Sequence, residues 1–169
     1  MINDISAFRD PDMMNVVKKF DVPVIIMHMK GEPCNMQNNP SYDNVIKDIL
    51  SFLIEAVDKA ISNGIDRSKI IIDPGIGFGK TIEHNYSLIN NLKQFCDINV
   101  PILIGPSRKS FLRKSISEML SREPELSEIE VSTQAAIAAC AMNGANIIRV
   151  HDVSKTRITL KIIDTLTYA

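Results

Sequence analysis

The stretch Ile70-Ile71-Ile72-Asp73-Pro74-Gly75-Ile76-Gly77-Phe78-Gly79-Lys80 decides how the rest of the chain is read. Three consecutive β-branched residues suit a short strand buried on both faces, and Pro74, with no N–H to give a ladder, ends it directly after Asp73. The strand therefore finishes on a carboxylate. Beyond it, Gly75, Gly77 and Gly79 free the backbone for unusual dihedrals and close approach by a flat ligand, and Lys80 adds a charge beyond the loop. Two phosphate-binding patterns fail by position. A P-loop ending in Gly79-Lys80-Thr81 needs glycine where Pro74 stands, and the dinucleotide pattern begun at Gly75 and Gly77 needs glycine where Lys80 stands. The stretch is then either a ligand site or a glycine-rich turn in which Asp73 caps a helix or accepts from the turn.

Outward from this stretch the chain alternates strand and helix. Met1-Ile2 ends a strand that turns polar at Asn3-Asp4, and Asp10-Pro11 opens a helix with Met13, Val16, Val17 and Phe20 at helical spacing. Val22 to Met29 is the second strand. The loop from Lys30 to Pro40 lacks periodicity and is able to fold over a site. Ile46, Ile49, Leu50, Leu53, Val57 and Ile61 form the stripe of a long helix stopped by Asn63-Gly64. Downstream, His84 to Phe95 reads as a shorter helix, and Val100 to Ile104 as a strand closing on Gly105-Pro106-Ser107-Arg108-Lys109, with Ser107 capping the next helix. Glu123 to Glu130 contains Pro124 and reads as a solvated acidic loop without chemistry. A helix over Thr133 to Asn143, a last strand over Ile147 to Val150 and a closing helix over Thr156 to Leu166 complete the chain.

Every strand finishes on polar groups: Asn3 and Asp4, His28, Asp73, Ser107 with Lys109, and Arg149 with His151. In a parallel α/β sheet these ends share one edge, where ligands bind. Singly, His28 reads as a core histidine, Arg149 as an ion-pair partner of Asp152 and Asn3 as a turn former; together on one edge they favour a site.

At 169 residues, 45% of them hydrophobic, the chain fits one globular domain with a substantial core. A formal net charge of −1 offers no general attraction to nucleic acid or acidic membranes, so the expected partner is a small molecule. Cys34, Cys96 and Cys140 have no metal-ligand spacing and form an odd set, which fits a reducing, cytoplasmic setting. No apolar run is long enough for a membrane span, and Met1-Ile2-Asn3-Asp4 lacks the features of a signal peptide.

Asn3-Asp4, Met27-His28-Met29-Lys30-Gly31-Glu32-Pro33 with Met36-Gln37, the stretch Asp73 to Lys80, Gly105 to Phe111 and Arg149-Val150-His151-Asp152 stand in an order and spacing that resembles dihydropteroate synthase of folate biosynthesis, a TIM (β/α)8 barrel family. The resemblance covers essentially the whole chain and implies a pterin-binding domain over residues 1–169. It implies that p-aminobenzoate displaces pyrophosphate from the methylene of dihydropterin pyrophosphate, and that the site is a sulfonamide target. Residue by residue, it implies that Asp73 accepts from the donor-rich edge of the pterin, that Asn3 reaches the same ring, and that Lys109 donates to its carbonyl and ring nitrogen. Arg149 would lie flat on the heterocycle, and with His151 would meet the departing pyrophosphate. Met27, Gly77 and Gly105 would line the pterin slot, with Phe78 and Ser107 at the p-aminobenzoate entrance; Lys109, Arg149 and His151 are the implied catalytic set.

Two departures from the family are visible. A barrel of this type has eight strands and typically about 250 residues, whereas five strands are legible here. The chain is expected to be truncated to strands 4–8, with the family's Mg2+-binding asparagine, a further pterin-binding aspartate and the mobile covering loops in the missing part. No metal ligand is expected within residues 1–169. A homodimer is expected, or a partner chain supplying the missing strands. The second departure is Pro106, a rigid residue where a less constrained one is expected. Two alternatives remain open: a pterin-binding methyltransferase domain, and a non-catalytic pterin-binding remnant.

Overall fold

The structure, a computed structural model, describes residues 1–167. Five short strands lie side by side in chain order: β1 (Ile2–Asp4), β2 (Val24–Met27), β3 (Ile70–Asp73), β4 (Leu103–Ile104) and β5 (Ile147–Ile148). All neighbours are parallel. β1–β2–β3 and β4–β5 are two ladders joined by a bridge between Ile72 and Ile102, with the Ile72 N–H donating to the Pro101 carbonyl at 2.9 Å.

Parallel neighbours require a crossover, and helices supply each one. α1 (Pro11–Phe20) is capped by the Asp10 side chain accepting from the Asp12 N–H at 2.9 Å, with proline at the first position as expected. α2 (Val45–Ser62) buries Ile46, Ile49, Leu53 and Val57, the stripe read from the sequence, and ends before Gly64 at φ +88°. α3 (Ile82–Asn90), α4 (Ser110–Leu120), α5 (Leu126–Met142) and α6 (Val153–Thr167) follow.

The register sorts side chains onto two faces, because successive residues of a strand alternate. Val24, Ile26, Ile70, Ile72, Ile102 and Ile104 join Ile49, Leu53, Val57, Leu88, Leu92 and Phe95 in the main core, under the helices. Each such burial contributes about 1.5–3 kcal/mol, so this face holds the fold together. The opposite face carries a smaller cluster of Ile25, Ile71 and Leu103, with Ile147 against it. By the same alternation, Asn3, Met27, Asp73, Gly105 and Arg149 belong to this second face, with Met27 paired in register to Asp73. The main core therefore occupies one face, and Asn3, Asp73 and Arg149 gather on the other.

Three sequence expectations are corrected. Glu123 to Glu130 is not a loop: α5 begins at Leu126 with a capping box between Glu125 and Glu128, and Pro124 stands just outside it. Acidic residues suit a helix start, so the composition that suggests solvent marks an N-terminus here. Ser107 is not a cap; Lys109 takes that position without a side-chain bond. The segment read as a helix over His84 to Phe95 splits into α3, capped by Thr81, and a 3₁₀ segment over Leu92–Ile98, although Leu88, Leu92 and Phe95 are buried as expected. As read from the sequence, the crossover from β4 to β5 uses two helices, α4 and α5, the second starting at Leu126 and not at Thr133.

Candidate functional site

The turn after β3 is built around Asp73, only 5% exposed, whose Oδ1 accepts the Gly75 N–H at 2.7 Å. Burial pushes its carboxyl above the usual range, while that N–H and the charges of Lys80, Arg149 and Lys109 pull it back down. The His28 N–H donates to the Asp73 carbonyl at 2.9 Å, so the ends of β2 and β3 are fastened together. Gly75 is at φ +74°, and a Cβ there would sit 1.9 Å from the His28 carbonyl oxygen; no other residue fits. The loop before α2 closes on this turn, with Gln37 Nε2 donating to the Gly77 carbonyl at 2.6 Å and the Tyr42 hydroxyl to the Gly79 carbonyl at 2.8 Å. Buried Asn85 of α3 accepts the Gly77 N–H at 2.7 Å from the other side.

The ends of β4 and β5 face this turn. Lys109 Nζ stands 4.2 Å from the centre of the Phe78 ring, a cation–π contact, and its Cδ is 3.2 Å from where a Cβ on Gly77 would be. Burial pushes the Lys109 ammonium below its ordinary range, as does the neighbouring charge of Arg149, while Asp73 pulls it up. The Arg149 guanidinium lies across Gly105, with Nε and Nη2 each 3.3 Å from the position of an absent Cβ. A larger residue at 105 would displace it.

Ser107 and His151 form a linked pair: the His151 N–H donates to Ser107 Oγ at 3.3 Å, and that hydroxyl reaches His151 Nδ1 at 2.8 Å. A hydroxyl has one proton and two lone pairs, so Ser107 Oγ can hold the backbone N–H and meet Nδ1 in either tautomer of the imidazole. A cavity of about 420 Å³ is lined by Gly105, Ser107, Lys109, Arg149 and His151, together with Arg108 and Val150. It is positively furnished and open to solvent on its cationic side, where Arg149 and His151 are exposed.

The structure thus brings Asp73, Gly77, Phe78, Gly105, Ser107, Lys109, Arg149 and His151 to one edge. Met27 lies directly beside Asp73. Asn3 shares their face one rung lower, in register with Ile25. Pro106 is compatible with the turn, its carbonyl accepting the Lys109 N–H at 3.3 Å. Arg149 makes no pair with Asp152, which binds Lys155 at 3.3 Å.

Other parts of the site escaped the sequence reading. Lys80 is not beyond the loop: it is folded back beneath it, 3% exposed, with Nζ 3.0 Å from His28 Nδ1 and 2.9 Å from the Phe78 carbonyl. His28 is the hydrogen-bonded core histidine of the plain reading, its pKa pushed down to about 3 by burial and then by the charge of Lys80. Arg108, at φ +54°, borders the cavity but is bonded to α5; its N–H donates to Thr133 Oγ1 at 3.1 Å and its Nε to Glu130 Oε1 at 2.5 Å. The only available signal was a glutamate and a threonine one helical turn apart, which is too common to read.

The strand ends of a parallel α/β sheet thus gather a buried carboxylate, Asp73, and two cations, Lys109 and Arg149, at one edge. A family profile described as pterin binding enzyme matches residues 1–151, and the chain belongs to that family. It is 43% identical over 162 residues to dihydropteroate synthase of Haemophilus influenzae, covering 96% of this chain and 57% of that protein. The solved structure of Yersinia pestis dihydropteroate synthase with a sulfonamide drug superposes with a TM-score of 0.90 at 35% identity, over 99% of this chain and 59% of the other. The Xanthomonas albilineans enzyme in complex with 7,8-dihydropteroate gives 0.86 at 36% identity, over 100% and 60%. The chain thus spans somewhat over half the length of the relatives it matches.

Proposed function

We propose that this chain carries the pterin-holding part of a dihydropteroate synthase, which joins p-aminobenzoate to dihydropterin pyrophosphate and releases pyrophosphate. The observation that carries it is Asp73 buried at a strand end, faced by Lys109 and Arg149, in a member of the pterin-binding family. Asp73 accepts from the pterin's amino and ring N–H groups, Lys109 donates to the ring carbonyl, and Arg149 stacks on the plane. As the new C–N bond forms from the amine lone pair, the C–O bond breaks and its electron pair leaves with pyrophosphate, and the amine nitrogen gives up one proton to solvent. Arg149 and the His151 imidazole receive that growing charge, which speeds departure to the extent that these contacts strengthen in the transition state. Methyl transfer releases no pyrophosphate and would leave this anion pocket without a role. Phe78 and Ser107 border the p-aminobenzoate entrance, and susceptibility to sulfonamides is carried over from the Yersinia pestis relative.

On this basis the five strands are the fourth to eighth of an eight-stranded barrel. Further strands, from a partner chain or from elsewhere in the same polypeptide, would complete the wall; Ile158, Ile162 and Leu166, spaced four apart on α6, are exposed and available for contact with a partner. Magnesium belongs to this reading as a companion of pyrophosphate. Among the described residues no group of three or more His, Cys, Asp or Glu side chains is placed to hold a metal. No helix among the described residues is long and apolar enough to cross a membrane, and the proposed setting is the cytoplasm.

Calorimetry with a dihydropterin tests the site: Asp73→Asn is expected to lose on the order of 1.5–3 kcal/mol of binding, and undiminished affinity would overturn it. Dihydropteroate formation, measured with magnesium for the chain alone and with a polypeptide bearing further barrel strands, tests the assembly. Turnover is expected only for the mixture, and full turnover by the chain alone would remove the partial-barrel reading.

A further inference from the structure

We propose that Lys80 is a positioning residue of this site: it ties the Gly77–Phe78 turn to the end of β2 and supplies, from beneath, the positive charge that keeps Asp73 ionised for a ligand's donors. The proposal rests on the pterin reading of Asp73 for its function, though not for its first test. A lysine with 3% exposure needs a reason for its burial. Two of its hydrogens are accounted for by His28 Nδ1 at 3.0 Å and the Phe78 carbonyl at 2.9 Å, which joins the β2 end to the glycine turn. The ammonium also lies 3.3 Å from where a Cβ on Gly75 would be, and the Gly75 N–H holds Asp73 Oδ1 at 2.7 Å. One glycine separates the two charges, and its missing side chain is what lets the ammonium come so close.

Asp73 makes no salt bridge within 4.0 Å among the described residues, so its charge is balanced at slightly longer range by Lys80, Lys109 and Arg149. Lys109 and Arg149 stand on the ligand's side and are committed to it once it binds; Lys80 is committed to the protein. His28, also facing the charges of Arg9 and Lys30, stays neutral and offers Nδ1 as an acceptor. Burial pushes Lys80 down to about 7 and Lys109 adds to this, whereas Asp73 pulls it up, so each partner sustains the other's charge.

The first test follows the Asp73 side-chain carboxyl by NMR in the full chain, labelled with 13C-aspartate, with Asp73→Asn identifying the resonance. Lys80→Met and Lys80→Gln are both expected to move the Asp73 titration to higher pH, although glutamine can still donate to the Phe78 carbonyl. An unmoved midpoint would overturn the proposal. Dihydropterin affinity near neutrality should fall on the order of tenfold in both variants, with the deficit narrowing as pH rises and Asp73 ionises. A merely structural lysine would weaken binding equally at every pH. A moved midpoint in a chain that binds no dihydropterin would sink the pterin reading and leave the role of Lys80 standing. Should neither variant fold, the wild-type chain decides: the Lys80 Nζ resonance must shift where Asp73 titrates, and independent titrations would refute the coupling.

Discussion

Two turns at the strand ends reach left-handed backbone by different means. After β3, Gly75, Gly77 and Gly79 take φ of +74°, +81° and +63°, with no Cβ to oppose them. After β4, the position at φ +54° is Arg108, a residue for which this conformation costs about 1–2 kcal/mol. That cost is offset from a distance of more than twenty residues in sequence, by Glu130 and Thr133 of α5. The first turn carries its solution in its own residues; the second borrows one from a neighbouring helix. Arg108 is thereby tied to α5, and it lines the cavity together with its neighbours Ser107 and Lys109.

The largest effect separating the two turns is expected at Gly75. Alanine there must keep φ near +74° and place its Cβ 1.9 Å from the His28 carbonyl oxygen, which is backbone and cannot step aside. Strain and clash together should cost roughly 3–5 kcal/mol, read as a drop in the urea midpoint. Because His28 N–H also donates to the Asp73 carbonyl, relief of the clash would open the β2–β3 ends. A loss below about 1 kcal/mol would mean that the turn is not locked by this contact.

The same contrast explains what the sequence made legible. The isoleucine run, Asp73 and the alternating glycines act through neighbours in the chain, so strand, carboxylate and turn could be read directly. The convergence of Lys109, Arg149 and His151 followed from the rule that parallel strand ends share an edge. Lys80 was misplaced because nothing local says that a lysine after a loop folds back beneath it; only the pocket formed by His28, Phe78 and Gly75 does. Glu130 was hidden for a related reason. An acidic run next to Pro124 matches both a solvated loop and the start of a helix, and the choice depended on Arg108 arriving from another element.

The borrowed solution should be asymmetric when broken. Arg108→Ala leaves the Glu130 carboxylate, 8% exposed, without its partner, whereas Glu130→Gln leaves an arginine whose side chain is 34% exposed and can reach water. Removing one member of a fully buried pair costs about 3–5 kcal/mol. Solvent at the arginine reduces this, so we expect about 2 kcal/mol for Arg108→Ala and about 1 kcal/mol for Glu130→Gln by chemical denaturation. Equal losses, or the reverse order, would show that α5 does not hold this turn through the ion pair.

The smallest effect sharpens the comparison at a third left-handed position. Gly64, which follows α2, has φ +88° like the glycines of the site, but no atom lies within 4 Å of where its Cβ would be. Alanine at 64 therefore pays for conformation alone. That cost of about 1–2 kcal/mol is partly offset by the reduced freedom of the unfolded chain, which favours alanine by about 0.4–1 kcal/mol. A net loss of about 1 kcal/mol in the urea midpoint is expected. Subtracting it from the loss at Gly75 isolates the close approach of the turn to His28 from the dihedral requirement common to both. If the two substitutions cost the same, glycine at 75 is needed only for its φ. The fastening of β2 to β3 would then rest on the His28–Asp73 hydrogen bond, with no contribution from the packing beneath it.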